Sequence, residues 1–104
     1  MDSGKLGSVD CDTTWKLLGS ATANGFVLTV RFANQTSNTV RGYLAVGTAL
    51  NGSVPFTKDI VNGGVAIVPF GLAEDTGVVL SNGESVWASS SVASGVSARA
   101  YGVI

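Results

Sequence analysis

The stretch Gly25-Phe26-Val27-Leu28-Thr29-Val30-Arg31-Phe32 decides the fold class. Phe26, Leu28, Val30 and Phe32 occupy every second position, with Val27, Thr29 and Arg31 between them. A period of two puts the first set on one face of an extended chain and the second set on the other. A helix would need apolar residues three and four apart. Most of these side chains are β-branched or aromatic, which suits a pleated surface. The polar run Ala33-Asn34-Gln35-Thr36-Ser37-Asn38 follows as a turn-rich connection.

The same period continues outward. Thr39 to Gly47 alternates Val40, Gly42, Leu44 and Val46 against Arg41, Tyr43 and Ala45. Gly42 inside it signals a bulge or a close backbone approach. With the preceding strand it predicts a hairpin. Asn51-Gly52-Ser53 reads as a turn, and Val54 to Ile60 as an edge or irregular strand because Pro55 cannot donate to a ladder. After Asn62-Gly63-Gly64, the nearly continuous apolar run Val65 to Phe70 reads as a strand buried on both faces or facing a partner. Gly71 to Asp75 reads as a connection and Thr76 to Leu80 as a short strand. Ser81-Asn82-Gly83-Glu84 is the strongest turn signal in the chain. Strands are then expected over Ser85 to Ser91 and Val96 to Ile104, and an early one over Thr13 to Leu18.

Seven or eight short strands separated by turn clusters point to an antiparallel sandwich, jelly roll or barrel. The expectation is all-β: a single antiparallel β-sandwich or jelly-roll-like domain over residues 13–104. Residues 1–12 carry four of the thirteen charges with weak periodicity and are expected to be an N-terminal arm. No internal repeat or linker divides the chain.

Composition narrows function. The 104 residues include 6 Lys+Arg, 7 Asp+Glu, one cysteine and no histidine, for a net charge of −1. Six scattered cations cannot make a phosphate-tracking stripe, so no nucleic-acid partner is expected. Histidine chemistry is absent, and Cys11 alone cannot form an internal disulfide. No stretch has the roughly 18–20 continuous apolar residues of a spanning helix, so no membrane partner is expected. The start of the chain has no basic region followed by an apolar core, so a secretory signal is not expected.

The acids lie in the arm or in predicted turns, and adjacent Glu74 and Asp75 point apart on an extended segment. No carboxylate pair, metal site, phosphate loop or other catalytic or cofactor-binding set is therefore expected. Asp10-Cys11-Asp12 reads as solvated charge, with no nearby cation to activate the thiol. Asn34-Gln35-Thr36 and Asn51-Gly52-Ser53 match the glycosylation acceptor pattern and are read only as surface loops. Trp15, Trp87, Tyr43 and Tyr101 are expected to fill the sandwich or cover its edges; a sugar-stacking platform is the alternative. Charged residues are only 12% of the chain against 45% apolar. A small domain so poorly charged is suited to association with other proteins.

Leu80-Ser81-Asn82-Gly83-Glu84-Ser85-Val86-Trp87-Ala88-Ser89-Ser90-Ser91, followed by Gly95 to Ile104, resembles the end of a group of small tailed-phage virion proteins. These often show a leucine, a Gly-acid turn and a strand with an aromatic before a serine pair, then a final strand closing on Gly-Ile or Gly-Val. The terminal acid common in that group is missing here. Phe32 to Gly47 resembles the same proteins' Asn-containing hairpin, and the likeness spans roughly residues 26–104. It implies a capsid decoration (cement) protein on the capsid surface of the virion. Such a protein would bridge subunits of the major capsid protein and would form a homo-oligomer, a dimer or trimer. A tail, neck or fibre-associated virion protein is the alternative, and a carbohydrate-binding module using Tyr43 or Trp87 is a second. For the cement reading, the expected contact residues are Lys5, Leu6, Val9 and Trp15 of the arm region and Val54, Pro55 and Phe56 of the apolar edge.

Overall fold

The computed structural model describes residues 3–21, 26–48, 55 and 64–103. Among them are eight strands and no helix: β1 (Ser3–Cys11), β2 (Lys16–Ser20), β3 (Phe26–Asn34), β4 (Val40–Gly47), β5 (Val65–Ile67), β6 (Leu72–Leu80), β7 (Ser85–Ser90) and β8 (Val96–Val103). They form two four-stranded antiparallel sheets, ordered β1-β8-β3-β6 and β2-β7-β4-β5. Every link except β4 to β5 passes from one sheet to the other. This is the jelly-roll form of the β-sandwich.

Alternation along each strand builds the core. Leu28, Val30 and Phe32 of β3 point inward and are essentially fully buried. They meet Val40 and Leu44 of β4, Ile67 of β5 and Val86 of β7 in one cluster. The inward positions of β8 are small, and Ala98 pairs with Phe32. A large ring beside a small neighbour lets the two layers interdigitate. Burying each Val, Leu or Phe contributes roughly 1.5–3 kcal/mol as an upper estimate. Gly42 sits where a Cβ would come within 2.8 Å of Phe32 Cδ1, so the signal for a close approach is explained by the ring lying against bare backbone.

Several expected boundaries change. Residues 3–11 of the expected 1–12 arm are instead an edge strand: β1 pairs with β8 along its length, with a bulge between Lys5 and Gly7. The bulge breaks the period of two, which is why the segment looks irregular in sequence. The expected hairpin of β3 with β4 does not form, because the two strands lie in opposite sheets. Alternation assigns faces, and it is equally satisfied by a strand beside its neighbour or across the core from it.

β6 begins at Leu72, not Thr76, so Glu74 and Asp75 belong to a strand. Its register with β3 shifts opposite Thr29, between the Leu28–Val78 and Val30–Asp75 pairs. β2 starts at Lys16, because Asp12 Oδ1 accepts from Thr14 N at 2.8 Å and shapes the preceding residues into a turn. The turn at Ser81-Asn82-Gly83-Glu84 forms, with Glu84 N donating to Ser81 O at 3.0 Å and Gly83 at φ 88°. It connects two sheets and closes no hairpin. The positive φ falls on its third residue only, a type II pattern whose twist splays the flanking strands. The expected strand over Val54 to Ile60 lies outside the described residues except for Pro55, which is buried.

Candidate interaction surface

The two edges of the sandwich differ. At one, β1 and β2 close on each other: a Cβ on Gly7 would collide with the Leu18 carbonyl. At the other, β6 borders its sheet as a nine-residue edge strand, and the exposed large apolar side chains gather there. Val68 is 62% exposed, Phe70 73% and Leu72 61%. Val79 of β6 and its cross-strand partner Val27 of β3 are exposed further along the same margin.

The first three sit on a tightly held tip. Val68-Pro69-Phe70-Gly71 is a β-turn closed by Gly71 N donating to Val68 O at 3.0 Å. Proline is favoured at the second position of such a turn, whereas the third, with positive φ, ordinarily takes glycine or asparagine. Here it is Phe70, at φ 53°. A bulky residue held in that region is costly and persists only when its surroundings over-determine it.

The surroundings supply that determination. Phe70 N donates to Thr36 O at 3.2 Å, and Asn34 N donates to Gly71 O at 2.9 Å. The Asn34 side chain is 2% exposed. Its Nδ2 lies 2.8 Å from Asn38 O, 3.2 Å from Ile67 O and 3.0 Å from Val68 O. Its Oδ1 accepts from Thr36 N at 2.9 Å and Thr36 Oγ1 at 2.7 Å. One buried amide thus ties the β3–β4 link to the β5–β6 turn. Asn34 is accordingly no exposed glycan acceptor, although the residues that follow it, 35–38, form the expected surface loop.

The expected contact residues are placed only in part. Lys5 and Leu6 lie at the β1 bulge. Val9 is half-buried against the main core, and Trp15 is half-buried with Leu17 against Ala45 and Trp87. Pro55 is buried, while Val54 and Phe56 lie outside the described residues. Val9 and Pro55 therefore pack within the protein in place of forming an open contact face. β1 is held in its sheet by its ladder with β8. Of the two aromatics suggested for sugar stacking, burial removes Trp87. Trp87 is 1% exposed, and Tyr43 is half-buried beside Gly64. Trp87 Nε1 is buried without a hydrogen-bond partner among the described residues.

The Val68–Leu72 tip is the feature that sequence patterning missed. The run Val65 to Phe70 reads as one strand, yet only Val65–Ile67 is strand, with Ile67 turned into the core. The visible signal was Pro69 followed by Gly71, which brackets a turn inside apolar sequence.

Polar groups are engaged locally. Glu74 joins Arg31 and Tyr101 on the outer face of the β1-β8-β3-β6 sheet, with Arg31 Nη2 3.2 Å from Glu74 Oε2. Asp12 accepts from Thr14 and pairs with Lys16 at 3.2 Å. Glu84 Oε1 accepts from Ser81 N at 2.7 Å. Shallow clefts run along Ser8, Asp10, Ser97 and Arg99, and between Asp12, Lys16, Gln35 and Ser94. No group of three potential metal ligands occurs among the described residues. No family model matches the chain, and neither does any curated protein or solved structure compared with it.

Proposed function

We propose that this chain is a capsid decoration protein of a tailed bacteriophage, binding the outside of the shell and bridging neighbouring subunits of the major capsid protein. The observation that carries the reading is the apolar tip Val68, Phe70 and Leu72, exposed on a turn fixed by a buried amide. Exposed apolar groups on a rigid support mark a surface made for protein contact. The virion assignment itself rests on the resemblance carried by residues 26–104 and on the low charge. A jelly roll alone hosts many functions and adds only compatibility. The mechanism is mechanical: each copy adds buried apolar area between subunits, and many copies on one lattice add through effective concentration. The homo-oligomer implied by the resemblance is part of the same proposal.

Imaging of purified virions tests it. Hundreds of copies on the outer shell are expected, together with a lower disruption temperature for particles stripped of the protein. A dozen or fewer copies at the neck or tail would move the protein to the alternative virion role. Stripped particles as heat-resistant as intact ones would remove the cement mechanism.

A further inference from the structure

Phe70 combines two features that rarely coincide: the greatest exposure among the large apolar side chains described, and a left-handed backbone. Neither serves the fold. A ring 73% exposed contributes little burial, and glycine at the same position would release the backbone cost. Five hydrogen bonds through Asn34 and two through Thr36 O and Gly71 O fix the turn in this costly form. A side chain presented at a cost to stability, on a support that stops it from moving, has the properties of a preorganised binding anchor.

The surroundings specify what receives it. Residues 32–40 and 65–73 contain no charged side chain; of the ions that flank them in sequence, Arg31 and Glu74 pair with each other and Arg41 donates to the Gly64 carbonyl at 3.1 Å. Neither segment offers a charged peptide or a polyanion a counter-charge of its own. The apolar area of Val68, Phe70 and Leu72 is on the order of 400 Å², about half of the 800 Å² that each partner gives to a stable two-body interface. The tip alone is too small to hold a dimer of this chain, and suits a weak contact made many times over.

We infer that Phe70 is the anchor of the docking contact, held in pose by Asn34, and that its receptor is an uncharged apolar pocket on a protein surface repeated many times in one particle. The inference rests on the decoration reading and names the contact within it.

The test compares the wild-type protein with Phe70→Gly, Leu72→Ser and Val79→Ser, titrated onto capsids stripped of the protein, with thermal unfolding of each free protein alongside. Phe70→Gly is expected to melt at or above the wild-type temperature and to bind about tenfold more weakly or worse. Leu72→Ser should weaken binding in the same direction, and Val79→Ser, away from the tip, should leave it unchanged. Equal binding by wild type and Phe70→Gly would overturn the anchor and leave the decoration role standing. Equal losses for Phe70→Gly and Val79→Ser would replace the anchor by general stickiness of the margin. Self-association in the absence of capsids that disappears in Phe70→Gly would assign the tip to a second copy and overturn the receptor. Failure of the wild-type protein to bind capsids would overturn the decoration reading and this receptor together.

Discussion

The hydroxyl of Tyr101 donates to Glu74 Oε2 at 2.8 Å, joining β8 to β6 across the intervening β3. Arg31, on β3 itself, completes the cluster: its Nη2 donates to the same carboxylate and, at 3.0 Å, to the Tyr101 oxygen. Its guanidinium also lies 5.4 Å from the centre of the Tyr101 ring. The cluster spans three of the four strands on this face.

Its pH dependence has a determined sign. The Glu74 carboxyl is held below its ordinary range, first by the Tyr101 hydrogen bond and then by Arg31. Its contribution is present above the ordinary carboxylate value and is lost as pH falls through the depressed folded value. The Tyr101 phenol is raised, chiefly by the bond it donates to Glu74. That contribution is present below the ordinary phenol value and is lost as pH rises through the raised one. The melting temperature of wild type minus that of Glu74→Gln should therefore be largest near neutrality and shrink below about pH 4 and above about pH 10. A difference independent of pH would show that the cluster does not couple to folding.

Asn34→Ala probes the hub under the tip. It takes the Asn34 amide away from the carbonyls of Ile67, Val68 and Asn38 and from the amide of Thr36; Val68 O keeps Gly71 N and Asn38 O keeps Thr36 Oγ1, so the loss falls on Ile67 O and Thr36 N. Leaving a buried group unsatisfied costs about 1–3 kcal/mol, so a loss of about 2–3 kcal/mol is expected. At about 4–8 °C per kcal/mol for a domain near this size, the melting temperature should fall by at least about 8 °C. Amide exchange at Phe70 and Gly71 should rise disproportionately, because their N–H groups close the turn against Thr36 of the β3–β4 link and against Val68. Uniform acceleration along the chain would mean that Asn34 supports the whole fold and not the turn in particular.

How far the sequence could be read depends on which physical signal each element carries. Phe26–Asn34 is legible because its alternation is unbroken, and Leu28, Val30 and Phe32 of its inward set are buried. Ser3–Cys11 is not, because the bulge after Lys5 resets the period. Neither Phe32 nor Val40 says by periodicity whether their strands pair or face each other across the core, so the jelly-roll crossings stay hidden in a one-dimensional pattern. The tip is obscured for another reason: Val68 and Phe70 look like core residues, and only the turn held by Asn34 sends them outward. A buried asparagine contacting residues more than thirty positions away leaves no local signature.

Gly42→Ala tests the packing of the core. The added methyl would stand 2.8–3.0 Å from three carbons of the Phe32 ring, which is 1% exposed. Overpacking of this kind costs about 1–3 kcal/mol. Phe32→Leu removes the ring that the methyl would strike, so the double variant should be more stable than the sum of the two single losses predicts. Strict additivity in chemical denaturation would mean that Gly42 is required for some reason other than Phe32.

Cys11 should be silent to thiol reagents in the folded protein. It is 2% exposed, on the inward side of β1, beside Val96 of β8. Burial pushes its thiol up to about 11, and the neighbouring charges of Asp12 and Asp10 add to the shift. At pH 8 such a group is thiolate in only about one molecule in a thousand, and the thiolate is the reactive form. Exposure of Cys11 on unfolding removes both barriers at once, so labelling at pH 8 should follow the global unfolding rate and rise with denaturant. The raised value also has a stability consequence: the unfolded chain ionises its thiol first as pH rises, and the fold weakens from about pH 9 toward 11. Stoichiometric labelling within minutes in native buffer, with no dependence on denaturant, would show that the β1 edge opens locally. The strand would then behave as the loosely attached arm that its interrupted periodicity suggests.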